Sequence, residues 1–117
     1  MKENRPLIFA NPAEWREWLA ANHANAKEAW VVLKNARSLA PGLRYDEAVN
    51  EALAYGWIDS VMRKLDKDST VQRYTPRRKG SNWSELNKAK VSKLISDGKM
   101  TEAGLAAVEA AKKSGRW

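Results

Sequence analysis

The stretch "WIDSVMRKLDKDSTVQRYTP", residues 57–76, decides the fold. Its first half alternates apolar and polar side chains, as a strand with one covered face does. "DKDS", residues 66–69, is a turn sequence, and the second half returns as a strand rich in β-branched and aromatic residues. We therefore predict an antiparallel hairpin with strands over 57–65 and 70–76. The second strand should end at Pro76, which cannot donate to a ladder.

The sequence on either side of the hairpin predicts one more strand and four helices. Residues 28–36 form a compact apolar run with β-branched and aromatic side chains, which indicates a strand. Amphipathic segments that follow cap residues predict helices over 12–22, 45–55, 82–97 and 102–113. The order indicates an α+β fold in which four helices cover a small, mostly antiparallel three-stranded sheet. We expect residues 1–117 to form this single domain.

Cap and core residues follow from the same patterns. We expect Asn11 to cap the first helix, Ser81 or Ser84 the third, and Thr101 the fourth. Tyr45 should lie on the buried face of the second helix. The periodicity also indicates core positions for three of the six tryptophans, namely Trp15, Trp18 and Trp30.

The bulk composition excludes several classes of protein. The chain has no cysteine and one histidine, which excludes disulfides, thiolate catalysis and multi-histidine metal centres, and we expect no cofactor. No apolar run reaches the roughly 18 residues of a membrane span. Residues 1–11 also lack the apolar region of about 7–15 residues that a signal peptide needs. We therefore expect a cytoplasmic protein.

Positive charge is concentrated in the second half of the chain. Residues 1–62 contain 7 Lys and Arg against 8 Asp and Glu, whereas residues 63–117 contain 14 against 6. Such asymmetry favours a polyanionic partner, although a basic face that only keeps the protein soluble remains open.

The segment after the hairpin is the candidate site. Arginine forks suit phosphates and carboxylates, and serines at a helix start offer free N–H groups to an anion. The candidates from this segment and its surroundings are Arg73, Arg77, Arg78, Ser81 and Ser84, with Trp57 and Trp83 as walls. An ordinary helix cap behind a solvated basic loop, with both tryptophans buried, stays open as the structural alternative.

Asp59 lies at the same end of the hairpin as "TPRRK", residues 75–79. Pairing Leu65 with Thr70 across the turn places Asp59 opposite position 76, and a slip of one residue places it opposite 75 or 77. A carboxylate there either orients the arginines around a ligand or forms an ion pair that fixes the hairpin end.

Three blocks of the chain closely resemble the bacterial YdeI/OmdA-like family, also called bacteriocin-protection or OmpD-associated proteins. The blocks are "EALAYGWID" (51–59), "TPRRKGSNWSELN" (75–87) and "GKMTEAGL" (98–105). The resemblance runs from about Phe9 to Trp117 and implies a role in resistance to bacteriocins or cationic antimicrobial peptides and in envelope stress. It brings no catalytic residue, but it adds Thr75 and Asn87 to the candidates because both match the signature. Similar proteins continue past "GRW" (115–117), so the resemblance implies the N-terminal part of such a protein.

Three functions stay open at this level. The leading hypothesis is a non-enzymatic domain that binds a small anion or a polyanion between the hairpin end and the third helix. The first alternative is nucleic-acid binding by the basic half, which predicts steep salt dependence. The second is an enzyme that uses Asp59 as a base on a small anionic substrate, which requires an apolar pocket around that carboxylate. A protein partner also stays open.

Overall fold

The computed structural model describes residues 6–78 and 82–117. The elements are α1 (Pro12–Asn22), β1 (Ala29–Lys34), α2 (Tyr45–Ala54), β2 (Trp57–Asp66), β3 (Ser69–Pro76), α3 (Glu85–Ser96) and α4 (Glu102–Ser114). The strands form an antiparallel sheet in the order β1-β3-β2. The predicted α+β fold, with four helices and three strands, is confirmed. In the described part of the chain, no helix is both long and apolar enough to cross a membrane.

The β2–β3 hairpin changes register twice. Asp66 pairs with Ser69 beside the turn, and β-bulges then follow between Lys64 and Asp66 and between Asp59 and Met62. Each bulge inserts one extra residue into β2. Asp59 therefore lies opposite Tyr74 and not opposite position 76 or its neighbours. The predicted register was wrong because a two-residue hydrophobic period does not reveal a bulge.

Gln72 stabilises the second bulge. Its side chain is 1% exposed, and its Nε2 donates to the backbone oxygens of Ser60 and Val61, each at 3.1 Å. The amide thus satisfies two carbonyls that the disrupted ladder leaves without a partner strand. This contact helps to fix the position of Asp59, the residue that precedes the bulge.

The hydrophobic core lies between one face of the sheet and the helices. Trp15 of α1 packs on Tyr74 of β3, with ring centres 5.3 Å apart, and its indole N–H donates to the Ala48 oxygen at 3.0 Å. Trp18 is partly buried against the same cluster. Trp30 departs from the prediction. It lies half-buried on the opposite face of the sheet, where Arg63 sits 5.5 Å from its ring centre.

The N-caps that the sequence predicts for α1, α3 and α4 are formed. The side chains of Asn11, Ser84 and Thr101 each accept a hydrogen bond from the backbone N–H three residues further on. Ser84 is thereby the cap of α3, and the alternative, Ser81, lies outside the described residues.

A glycine brings α4 against the end of α2. The Thr101 hydroxyl donates to the Ala54 oxygen at 2.6 Å, and a Cβ added at Gly104 would lie 2.3 Å from the same oxygen. No larger residue fits there without movement of one helix. This close approach fixes α4, whose C-terminal end carries part of the site described next.

Candidate functional site

The structure brings Asp59 together with two tyrosines. Tyr45, the first residue of α2, donates its hydroxyl to Asp59 Oδ2 at 2.9 Å. Tyr74 lies opposite Asp59 in the hairpin, and its buried hydroxyl has no hydrogen-bond partner among the described residues. Tyr45 is 42% exposed, so its predicted burial was wrong. Its hydroxyl contacts the sheet while part of its ring faces solvent.

The pKa values of the groups near Asp59 are shifted by their own burial and by the charge of Asp59. Burial first, and then the hydrogen bond and charge of Asp59, raise the pKa of Tyr45 to about 12. Burial also raises the pKa of Tyr74, and the charges of Asp59 and Tyr45 add to this effect. Burial lowers the pKa of Arg77 to about 10, against the opposing effect of Asp59. At neutral pH both tyrosines are therefore neutral and Arg77 is a cation.

Arg77 is held at three points. Its backbone N–H donates to the Gly56 oxygen at 2.9 Å, and its Nη1 donates to the Asn82 oxygen at 3.2 Å. Its guanidinium carbon lies 3.7 Å from the centre of the Trp83 ring, which is a stacking distance. This cation is therefore positioned before any ligand arrives, at the end of the sheet where Asp59 lies.

Trp83 belongs to a pair of rings surrounded by cations. Its ring centre is 5.0 Å from that of Trp117, a half-buried residue that follows α4. The ammonium nitrogens of Lys112 and Lys88 lie 5.3 and 6.0 Å from the centre of the Trp117 ring. Aromatic faces attract cations at such distances.

Arg116 joins this cluster to Arg77 through one shared residue. Its Nη1 donates to Asn82 Oδ1 at 3.4 Å, and its backbone oxygen accepts from the Trp83 N–H at 3.2 Å. Arg78 follows Arg77 directly and is exposed. We use the name basic surface for the two rings, the cations that contact them or Asn82, and Arg78, which follows Arg77 in the chain. Its residues are Arg77, Arg78, Lys88, Lys112, Arg116, Trp83 and Trp117.

One ion pair lies at the rim of the basic surface. Lys88 contacts Glu85 at 2.7 Å, and the Glu85 side chain is 90% exposed. Ion pairs this exposed contribute little to stability, so a bound anion can take the place of Glu85 at Lys88. Further contacts of the surface involve backbone oxygens, the Asn82 amide and aromatic rings.

Not all predicted candidates lie at this surface. Arg73 and Thr75 alternate with Tyr74 along β3, so they lie on the outer face of the sheet. There Arg73 Nε pairs with Glu28 at 2.7 Å, which lowers the pKa of that carboxyl. The sheet separates both residues from Asp59.

The remaining candidates have structural contacts of their own. Trp57 is 1% exposed and packs edge-on against Trp18 in the core. Trp83 is 7% exposed, so the two tryptophans do not wall an open cleft. Ser84 accepts the cap hydrogen bond from the Asn87 N–H. Ser81 falls outside the described residues.

Five residues of this region are absent from the candidates that the sequence indicated. They are Tyr45, Lys88, Lys112, Arg116 and Trp117. A signal for three of them was present in "AAKKSGRW", residues 110–117, which combines cations with a tryptophan. Nothing in the local pattern indicates that this segment meets the end of the hairpin, because the docking of α4 is a tertiary contact.

A concave region lies between α2 and α3, away from the basic surface. This groove has a volume of about 750 Å³, and Leu86 and Leu94 contribute to its lining. Its charges are largely compensated, since Lys90 lies 3.7 Å from Asp46 and Lys93 lies 3.3 Å from Asp97. The lining of the groove therefore holds both acidic and basic side chains. Within residues 6–78 and 82–117, no three His, Asp or Glu side chains are grouped to hold a metal ion.

Comparison with known proteins gives one family match. The family described as "Domain of unknown function (DUF8412)" matches residues 7–107. Searches among curated proteins and among solved structures give no match. The family description names no activity, so the resemblance to bacteriocin-protection proteins stays a prediction.

Proposed function

We propose a function for this chain, which belongs to the DUF8412 family: it binds an extended, phosphate-bearing anion through the basic surface. The proposal does not include catalysis. By the resemblance described above, the cellular setting would be envelope stress or antimicrobial-peptide resistance.

The observation that carries the proposal is the convergence of cations from three parts of the chain. Arg77 and Arg78 come from the segment after β3, Lys88 from α3, and Lys112 and Arg116 from the end of α4. Arg77, Lys88 and Lys112 lie over the two rings, and Arg116 is hydrogen-bonded to Asn82 and Trp83 beside them. Like charges that lie close together repel one another, and a bound polyanion would turn this repulsion into attraction.

Arg77 supports the same conclusion through its geometry. The Trp83 ring, the Asn82 oxygen and its own backbone contact hold the guanidinium in place. Its Nε and Nη2 atoms are buried, so Arg77 would act on a phosphate through its fixed positive charge, with little loss of side-chain entropy. Exposed Arg78, Lys112 and Arg116 would add flexible charges around this fixed point.

An extended anion fits the basic surface better than a small enclosed one. The two tryptophans expected to wall a cleft are buried, and three of the five cations are exposed. A small-molecule site usually surrounds most of its ligand with apolar walls. Exposed cations that approach from several elements are instead typical of polyanion binding.

The test measures binding of inorganic polyphosphate by isothermal titration calorimetry. The first variant, Arg78→Gln/Lys112→Gln/Arg116→Gln, removes three exposed charges of the basic surface. The control, Arg37→Gln/Lys64→Gln/Lys67→Gln, removes three exposed charges near the turn of the hairpin. We expect at least about a tenfold loss of affinity in the first variant and a small loss in the control, because close phosphate contacts dominate such binding. Equal losses, or no binding by the wild type at low salt, would refute the proposal.

A further inference from the structure

We infer that the anion is a single-stranded nucleic acid, one base of which stacks on Trp117. This inference rests on the proposed function and specifies the partner of the same surface. It adds a requirement that phosphate binding alone does not have, namely an aromatic face for a base.

Trp117 has the contacts that such a role needs. Trp83 is buried, whereas Trp117 is half-buried, so Trp117 is the more exposed of the two residues. The two rings are tilted by 51° at 5.0 Å, so Trp83 supports Trp117 without covering it face to face. An inorganic polyanion gains nothing from this indole, whereas a base can stack on it, and stacking on aromatic side chains is the common way to bind single strands.

Two cations lie over the ring on which the base would stack. Lys112 and Lys88 place their ammonium groups 5.3 and 6.0 Å from the centre of the Trp117 ring. A base that takes their place over the ring would bring its own phosphate toward these groups. Arg116 and Arg77, joined through Asn82, would continue the positive path past Trp83.

The same geometry disfavours a duplex. The bases of a duplex are already stacked on one another and paired, so they offer no free face to Trp117. The aromatic ring would then contribute nothing, and only the charges would act. We therefore expect preference for single strands at equal phosphate number.

The test compares three fluorescently labelled ligands by anisotropy: a dT oligomer, an abasic oligomer of the same length, and a duplex. For the wild type we expect the dT oligomer to bind roughly tenfold or more tighter than the abasic one. Trp117→Leu should remove this ratio. Trp117→Phe, which keeps an aromatic face, should retain most of the ratio.

The outcomes separate the inference from the function on which it rests. Equal binding of dT and abasic oligomers by the wild type would overturn the inference and leave anion binding intact. A dT preference that persists in Trp117→Leu, or tighter binding of the duplex, would also overturn it. If neither the oligomers nor polyphosphate bind, the proposed function itself fails. The wild-type ratio needs no variant, so a folding defect in Trp117→Leu does not decide the matter.

Discussion

Substitution Gly104→Ala tests the contact that positions α4. The new Cβ would lie 2.3 Å from the Ala54 oxygen and 2.8 Å from the Ala54 carbonyl carbon. Both atoms belong to the backbone, so no side-chain rotation relieves the clash. One helix must move by about 1 Å to restore ordinary van der Waals contact.

The expected cost can be built from its parts. Overpacking costs typically about 1–3 kcal/mol, and contact with backbone indicates the upper part of that range. Movement of α4 also weakens the hydrogen bonds from the Thr101 N–H and hydroxyl to the Ala54 oxygen, 3.1 and 2.6 Å long, each worth about 1 kcal/mol. The higher helix propensity of alanine stabilises the folded state by about 1 kcal/mol and offsets part of this loss. We expect the free energy of unfolding to fall by about 3 kcal/mol.

The assay is denaturant unfolding followed by tryptophan fluorescence and circular dichroism. Ala106→Gly, an exposed position in the same helix, serves as a control for propensity and should cost only about 0.5–1 kcal/mol. If Gly104→Ala proved as stable as the wild type, or more stable, α4 would not pack this closely against α2. The placement of Lys112 and Arg116 would then lose its basis.

Three further substitutions test the hairpin and the Asp59 cluster. Gln72→Leu should lower the free energy of unfolding by about 1–3 kcal/mol in the same assay, because two bulge carbonyls lose their donor; unchanged stability would contradict that role. In the unfolded chain Tyr74 ionises near the ordinary tyrosine pKa of 10.0, whereas in the folded protein burial keeps its hydroxyl protonated. The free energy of unfolding should therefore fall as the pH rises above 10.0. Tyr74→Phe should make this alkaline fall smaller, and an identical pH profile would exclude the effect. Asp59→Asn should lower the pKa of Tyr45 from about 12 toward 10.0, and only part of the way because the burial of Tyr45 remains. Tyrosinate absorbance measures this pKa, and an unchanged titration would contradict the contact between Tyr45 and Asp59.

The elements of the fold are readable from local patterns. Apolar periodicity and cap residues identify the helices, since Asn11, Ser84 and Thr101 make the expected hydrogen bonds. The alternation of residues 57–76 identifies the hairpin, and chain order alone places Asp59 near Arg77. These features depend on neighbours close in sequence or on one short turn.

The register and the composition of the site depend on contacts that local patterns do not contain. Two bulges moved Asp59 to face Tyr74, and a buried amide from Gln72 accompanies one of them. The alternation of side chains along β3 could have excluded Arg73, since neighbouring residues of a strand face opposite sides. Trp117 joined the surface only through the docking of α4, which depends on the absence of a side chain at Gly104.

NMR can locate the binding of a phosphate-bearing anion residue by residue. The six tryptophan indole N–H groups give separate reporters in a ¹H–¹⁵N spectrum during titration with polyphosphate. We predict that the signals of Trp117 and Trp83 and of backbone amides 82–88 and 112–117 shift together. The Trp15 indole, which is bonded to the Ala48 oxygen in the core, should stay in place. Shifts concentrated instead at Trp30 on the outer sheet face, or along the α2–α3 groove, would contradict this prediction.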